Sequence, residues 1–202
     1  MKQIVVFGCG KSATALIDYL IIQSLKNDWF LTLADFDESV ALAKSGGAKN
    51  TRAVGMNISS ETERDALISR ADIIVSLLPA DLHLLVALSC LKFNKNLFTA
   101  SYYDESIKKL QTEIEKKGLL FLGEMGLDPG IDHISAMRLI HDIQSGGGII
   151  NSFYSHCGGL ISPESDNNPW HYKISWSTKN VVNAGKPGAT YLKNGEVITE
   201  KY

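Results

Sequence analysis

Gly8-Cys9-Gly10-Lys11-Ser12-Ala13 is a G-x-G-x-x-A run between an apolar, β-branched segment and a helical pattern. In that setting Gly8 permits a tight turn, Gly10 lets the main chain approach a pyrophosphate with no Cβ in the way, and Ala13 allows close helix–strand packing. The amides that open the following helix would face the phosphates, backed by the positive end of the helix dipole. The chemistry this predicts is dinucleotide binding. Asp35, in Ala34-Asp35-Phe36 at the end of the second apolar run, can accept hydrogen bonds from a ribose 2′-hydroxyl and repel a 2′-phosphate. Taken alone it favours NAD(H) over NADP(H), but it could equally cap the helix expected near Asp37. Lys11 could answer a 2′-phosphate or simply be solvated, so NAD and NADP both remain open.

Further along, Leu77-Leu78-Pro79 closes a fourth apolar run, and Ala100-Ser101-Tyr102-Tyr103-Asp104 follows a fifth. Ligands of open α/β sheets sit at the carboxyl ends of the strands, which places both segments on the cofactor side. Pro79 also reads as the start of a helix. Asp128-Pro129-Gly130 reads as a helix start, with Asp128 at N-cap and Pro129 at the first helical position. Asp128 can also carry a proton, and the two roles are compatible. By residue type alone, Tyr102 beside Tyr103 reads as a packed aromatic and Cys157 as a small buried residue. Asp132-His133 lacks a second ligand at metal spacing, so His133 reads as structural and no metal site is expected.

These residues need a scaffold that brings strand ends together. Apolar runs at Ile4–Phe7, Trp29–Leu33, Arg52–Gly55, Ile73–Leu77, Asn96–Thr99 and Leu119–Leu122 alternate with helical patterns at Ala13–Ser24, Asp37–Lys44, Glu61–Arg70, Ala80–Phe93 and Asp104–Lys117. That rhythm predicts parallel βαβ units, and the near-continuous apolar character of the strands predicts helices on both faces of the sheet. A helix over Ile131–Ile143 follows, ended by Gly146-Gly147-Gly148. The rest, rich in Ser, Asn, Gly and aromatics, reads as strands and long loops too short and polar for a convincing core of its own. Trp170, Tyr172 and Trp176 fit core or subunit packing better than a substrate wall. The expected architecture is a doubly wound Rossmann sheet over 1–125, then a second, incomplete mixed α/β substrate domain over 126–202.

The chain of 202 residues carries 20 Lys+Arg against 22 Asp+Glu, a net charge of −2. No basic field is available to hold a polyanion, so nucleic acid is not an expected partner. The most apolar stretch, Ile73–Leu91, is interrupted by Pro79, Asp81 and His83, so no membrane association is expected. Cys9, Cys90 and Cys157 are odd in number and widely spaced, which fits a reducing compartment. With no secretory signal pattern at the N-terminus, a cytoplasmic location is expected.

Beyond a generic dinucleotide fold, four runs occur in order: Thr99-Ala100-Ser101-Tyr102, Glu124-Met125-Gly126-Leu127-Asp128-Pro129-Gly130-Ile131-Asp132-His133, Cys157-Gly158-Gly159-Leu160, and Tyr172-Lys173-Ile174-Ser175-Trp176-Ser177. Together they resemble the saccharopine dehydrogenase family of the glutamate-forming type, over nearly the whole chain. The resemblance implies an NAD(P)-linked oxidoreductase of lysine metabolism that interconverts saccharopine with glutamate and 2-aminoadipate 6-semialdehyde through an imine. It implies that Gly8, Gly10, Lys11, Ser12, Ala13, Ala34, Asp35, Phe36, Asn57, Leu78, Ala100, Ser101, Gly126, Leu127, Asp128 and Ser177 line the cofactor. Ser101, Tyr102 and Asp128 would touch small-molecule amino-acid substrates, with Asp128, Tyr102 and Cys157 as acid–base groups. Separately from the resemblance, exposed strands of an incomplete domain would favour a homodimer.

Family members often have Arg where Asp35 stands, and the prolines of their G-G-L-P and S-W-S-P runs are Ile161 and Thr178 here. A tricarboxylate substrate calls for arginine forks, yet the chain has only Arg52, Arg64, Arg70 and Arg138. Lys173 or Lys179 could add point charges, and the expectation is that the substrate domain is truncated. Two other readings stand beside this one. The first is a related carboxynorspermidine or lysine 6-dehydrogenase type enzyme, and the second a non-catalytic NAD(H)-binding module.

Overall fold

A computed structural model describes residues 1–156, 161–173, 182 and 188–201 of the chain, which forms two compact units, Met1–Ser152 and Phe153–Tyr202. In the first, the strands are β1 (Lys2–Phe7), β2 (Trp29–Asp35), β3 (Thr51–Gly55), β4 (Ile73–Ser76), β5 (Asn96–Thr99) and β6 (Phe121–Leu122). They pair in the order β3-β2-β1-β4-β5-β6, every pair parallel. This is the doubly wound Rossmann order, whose switch point lies between β1 and β4.

The sheet has a core on each face because strand side chains alternate. Val5 and Phe7 pack with Ile74, Leu97, Val86 and Ile107 on one side. Ile4 and Val6 pack with Leu31, Leu33, Ile17 and Ala41 on the other. The covering helices are α1 (Thr14–Asn27), α2 (Glu38–Ser45), α3 (Glu61–Ile68), α4 (His83–Phe93), α5 (Glu105–Lys108) and α6 (Gln111–Lys116). The single helix expected over Asp104–Lys117 is divided between α5 and α6. Leu110 N–H reaches only back to the Ile107 carbonyl, three residues away, and tightens the chain there into a turn.

A seventh helix, α7 (Ile131–Ser145), follows the sheet and has no buried residue. In the second unit, β7 (Ala189–Lys193) and β8 (Glu196–Glu200) make an antiparallel hairpin. Its turn residues Asn194 and Gly195 both have positive φ, 53° and 83°, the requirement of a two-residue hairpin turn matched to strand twist. A short 3-10 turn, Pro163–Ser165, precedes it.

Candidate active site

The glycine run leaves the end of β1 and crosses the carboxyl edge of the sheet. Gly8 has φ +91°, and a Cβ there would lie 2.9 Å from the Leu77 carbonyl, so the loop hugs the end of β4 only because residue 8 has no side chain. Gly10 is different. A Cβ added to it would meet nothing within 4 Å, so its glycine serves space that the protein itself leaves open. Lys11–Ala13 forms a 3-10 turn leading into α1, with no side-chain cap on its first amides. Ala13 is buried against β1 and α1, as close helix–strand packing requires, whereas Lys11 and Ser12 are exposed. A cleft of about 410 Å³ opens over these strand ends. It is lined by Gly8, Gly10, Ala34, Asp35, Phe36, Asn57 and Leu78 together with Phe7, Met56, Ile58, Ser59, Leu77, Pro79 and Leu82.

Asp35 supplies the one charge among these lining residues. Its Oδ2 accepts the Cys9 amide at 2.7 Å and its Oδ1 the Asp37 amide at 3.2 Å. The cap of α2 is Asp37, whose carboxylate accepts from Ser39 N–H. Asp35 is therefore not the helix cap; it braces the glycine loop and faces the cleft. Burial and the nearby Asp35 carboxylate push the Cys9 thiol up to about 12, so it is an uncharged packing residue. Two cationic groups are engaged elsewhere, Lys44 Nζ donating to Thr14 Oγ1 and Arg52 Nε to Thr32 Oγ1, while Lys11 in the loop is exposed.

Across the switch point, the ends of β4, β5 and β6 carry a second cluster. After β6 the chain doubles back: Glu124 N–H donates to Ser101 O at 3.0 Å and Met125 N–H to Thr99 O at 3.2 Å. Gly126 sits against Ala100, whose carbonyl would be 3.0 Å from an added Cβ. The Asp128-Pro129 corner, with a cis peptide bond, is closed by Gly126 N–H to Pro129 O and Ile131 N–H to Gly126 O. This differs from the expected helix start. Asp128 is not the N-cap and Pro129 is not the first helical residue, because α7 begins at Ile131 after Gly130, which has no side-chain cap. The capping role falls to Asp132, whose Oδ1 accepts the Gly130 amide at 2.9 Å.

Freed from capping, exposed Asp128 accepts the Tyr102 hydroxyl on Oδ1 at 2.7 Å. That hydrogen bond, reinforced by partial burial and by the negative charges of Asp128, Asp132 and Glu124, pushes the Tyr102 phenol up to about 12. His133 Nδ1 lies 2.7 Å from Asp132 Oδ1 and is held more basic than usual by that contact. Arg138 pairs only at 3.9 Å with Asp142, one turn along α7. Leu127 is largely exposed beside Asp128. Among the described residues no group of His, Cys, Asp and Glu could hold a metal ion. Cys157, Trp176, Ser177 and Lys179 lie outside the described residues, while Trp170 and Tyr172 are exposed.

Reading the chain missed one polar network. His83, the first residue of α4, is 1% exposed; its Nδ1 lies 2.8 Å from Ser76 Oγ and its Nε2 2.8 Å from Ser101 Oγ. Burial holds its pKa below the ordinary range, against the opposing pull of Asp104 and Asp81. The only signal in the chain was a polar residue placed inside an apolar helical run.

Residues 4–122 match the family model described as the saccharopine dehydrogenase NADP binding domain, and residues 126–202 that of the saccharopine dehydrogenase C-terminal domain. The chain is 41% identical over 168 residues to an alpha-aminoadipic semialdehyde synthase of Arabidopsis thaliana, covering 83% of this chain and 15% of that protein. It is 34% identical to saccharopine dehydrogenase [NADP(+), L-glutamate-forming] of Saccharomyces cerevisiae, covering 98% of this chain and 44% of the relative. The solved structure of the apo, L-Glu forming yeast enzyme superposes on the whole chain with a TM-score of 0.83 at 32% identity, over 44% of its own length. This chain thus spans less than half the length of each of these relatives.

Proposed function

The chain belongs to the saccharopine dehydrogenase family, and from that premise we propose that it binds a nicotinamide dinucleotide and acts in the interconversion of saccharopine with glutamate and 2-aminoadipate 6-semialdehyde. The observation that carries the reading is the Tyr102–Asp128 pair at the carboxyl edge of the sheet, on the β4-β5-β6 side of the switch point. The adenosine half of a dinucleotide belongs over β1, β2 and β3 and the nicotinamide half over the other side.

The residues fit such a ligand. The open space over Gly10 and the Lys11 and Ser12 amides that open the turn, with no side-chain cap, suit a pyrophosphate. Asp35 suits a ribose diol, and exposed Phe36 with Asn57 suits an adenine. When bound, the nicotinamide nucleotide supplies the acceptor for hydride from the carbon of the secondary amine. The remaining work falls to the chain. Ala100, Ser101, Gly126 and Leu127 would border the nicotinamide, and Tyr102 with Asp128 would handle protons. Oxidation of the amine leaves an imine; water adds to its carbon, and the C–N bond then breaks to release glutamate and the semialdehyde. Asp128 is placed to take the proton of the attacking water, and the Tyr102 phenol, protonated at neutral pH, to protonate the departing nitrogen. Cys157 remains an acid–base candidate by resemblance.

For the nucleotide itself we read NAD(H) in preference to NADP(H), on the charge of Asp35 in the cleft. The reading extends to a homodimer in the cytoplasm acting on small-molecule amino-acid substrates, with neither nucleic acid nor membrane as partner. The net charge of −2 speaks against a nucleic-acid partner, and among the described residues no helix is long and apolar enough to cross a membrane.

The test is incubation of the protein with saccharopine and NAD or NADP while nicotinamide absorbance and glutamate are both followed. Equal formation of reduced nucleotide and glutamate is expected. Tight nucleotide binding without any saccharopine-dependent reduction would instead identify a non-catalytic binding module, and reduction with lysine or carboxynorspermidine alone would move the substrate within the family.

A further inference from the structure

His83 sits where two strand ends and a helix start converge, and its ring is enclosed on every side. Ser76, the last residue of β4, is 0% exposed and Thr99, the last of β5, is 2% exposed. His83 Nδ1 meets Ser76 Oγ at 2.8 Å; Nε2 meets Ser101 Oγ at 2.8 Å and Thr99 Oγ1 at 3.2 Å. Of the three hydroxyls around the imidazole, Ser101 alone is partly exposed. The network therefore has one outlet, and that outlet lies at the carboxyl edge of β5, on the nicotinamide side of the switch point.

The same residue anchors the segment bearing Tyr102. Ser101 O accepts the Glu124 amide, so fixing Ser101 also fixes the junction with the loop that presents Asp128. A histidine kept uncharged by burial offers one N–H and one lone pair. Its two tautomers leave the Ser101 hydroxyl either donating outward or accepting from outside.

We infer that His83 is a positioning residue: it holds the Ser101 hydroxyl, and through Ser101 the Tyr102 segment, in register with the nicotinamide half of a bound dinucleotide. The inference rests on the nucleotide reading above. It has a specific consequence, because none of His83, Ser76, Thr99 and Ser101 lines the cleft that opens over Asp35 and the glycine loop. Ligands confined to that cleft are indifferent to His83, whereas ligands that reach over β5 depend on it.

The experiment uses the full chain and two probes, NADH and ADP-ribose, the second lacking the nicotinamide. Affinities are measured by fluorescence or calorimetric titration for the unsubstituted protein, His83→Phe, His83→Gln, Ser101→Ala and the double variant His83→Phe/Ser101→Ala. Phe fills the buried space without hydrogen bonds, and Gln retains an amide able to meet one of the two hydroxyls. The expected result is that His83→Phe weakens NADH about tenfold, the loss of one or two hydrogen bonds, with ADP-ribose within about twofold. His83→Gln recovers part of that loss. The His83→Phe effect also largely disappears in the Ser101→Ala background, because residues acting through one another are not additive.

Equal losses for NADH and ADP-ribose would show a general loosening of the fold and overturn the inference while leaving the nucleotide reading intact. Full additivity with Ser101→Ala would also overturn it, as would unchanged NADH affinity in His83→Phe. If neither probe binds the unsubstituted chain, the nucleotide reading falls and this inference falls with it. If His83→Phe does not fold, the decision passes to His83→Gln, whose loss of NADH affinity must still exceed its loss of ADP-ribose affinity.

Discussion

The Tyr102 hydroxyl donates to Asp128 Oδ1 at 2.7 Å, joining the segment after β5 to the corner after β6 across 26 residues of chain. Both side chains are exposed, so the bond is held by the backbone on either side, where Glu124 and Met125 donate to Ser101 and Thr99. Two groups that can each carry a proton are thereby kept in contact at the edge of the sheet.

The pair predicts a titration. The phenol of Tyr102 is raised to about 12, so the Tyr102–Asp128 bond is fully present below the ordinary tyrosine range near 10 and is lost as pH rises through the folded value. Spectrophotometric titration of phenolate should show one tyrosine ionising late. Asp128→Asn removes the negative charge and should bring that tyrosine back toward the ordinary range. An unchanged titration curve in Asp128→Asn would contradict the pairing.

The adjacent tyrosine behaves in the opposite sense. Tyr103 packs its ring against Gly123, and its hydroxyl is the one buried side-chain oxygen or nitrogen without a hydrogen-bond partner among the described residues. An unsatisfied buried hydroxyl costs about 1–3 kcal/mol. Tyr103→Phe should therefore raise the melting temperature, by about 2–4 °C per kcal/mol gained for a chain of this size. Tyr102→Phe should leave the melting temperature nearly unchanged while impairing turnover. Thermal unfolding of the two variants side by side separates the cases, and a drop in stability for Tyr103→Phe would count against the assignment.

The two glycines of the first turn also part company. Gly8 has φ +91° and would bring a Cβ to 2.9 Å from Leu77, so Gly8→Ala should cost about 1–3 kcal/mol and weaken nucleotide binding as well. Gly10 has φ −64° and open space around it. Gly10→Ala should leave stability within about 0.5 kcal/mol yet reduce dinucleotide affinity severalfold, because the new methyl occupies the pyrophosphate approach. Denaturant melts paired with NADH titrations decide this. A Gly10→Ala protein that binds normally would remove the phosphate from its assigned place.

These outcomes mirror what the chain disclosed by inspection. The six strands were legible because their apolar runs and intervening helical faces are local patterns, each read within about ten residues. The glycine loop was legible for the same reason. Asp128 was misread as a helix cap because D-P-G before an apolar run is a local signature too; the helix starts instead at Ile131 after Gly130, and Asp128 meets Tyr102, 26 residues back. His83 was noted only as a break in an apolar run, with no role assigned. Its partners Ser76, Thr99 and Ser101 come from the ends of two strands, a convergence made by sheet order rather than by neighbouring sequence. Asp35 was open between a ribose acceptor and a helix cap; Asp37 takes the cap, leaving Asp35 to accept the Cys9 amide and face the cleft.

That resolution carries the last prediction. Asp35 is held in place by the Cys9 amide at 2.7 Å and is the one charged residue lining the cleft, so a 2′-phosphate would have to sit beside a fixed carboxylate. Two like charges about 4–6 Å apart at a protein surface repel by roughly 1–4 kcal/mol, and a ribose 2′-hydroxyl instead gains a charge-assisted hydrogen bond. Titrations should therefore show NADH bound at least about tenfold more tightly than NADPH at low salt, with the gap narrowing as ionic strength rises and screening shortens the interaction. Asp35→Asn keeps an acceptor for Cys9 N–H but removes the charge, so it should weaken NADH modestly, strengthen NADPH, and bring the ratio close to one. Lys11→Ala serves as the counter-test. If Lys11 serves a 2′-phosphate, its loss lowers NADPH affinity selectively; if it is merely solvated, both nucleotides respond alike. Tighter binding of NADPH than NADH by the unsubstituted chain, or a ratio indifferent to Asp35→Asn, would falsify the selective role of this carboxylate and return the cofactor to the phosphate-bearing form named for the family's nucleotide domain.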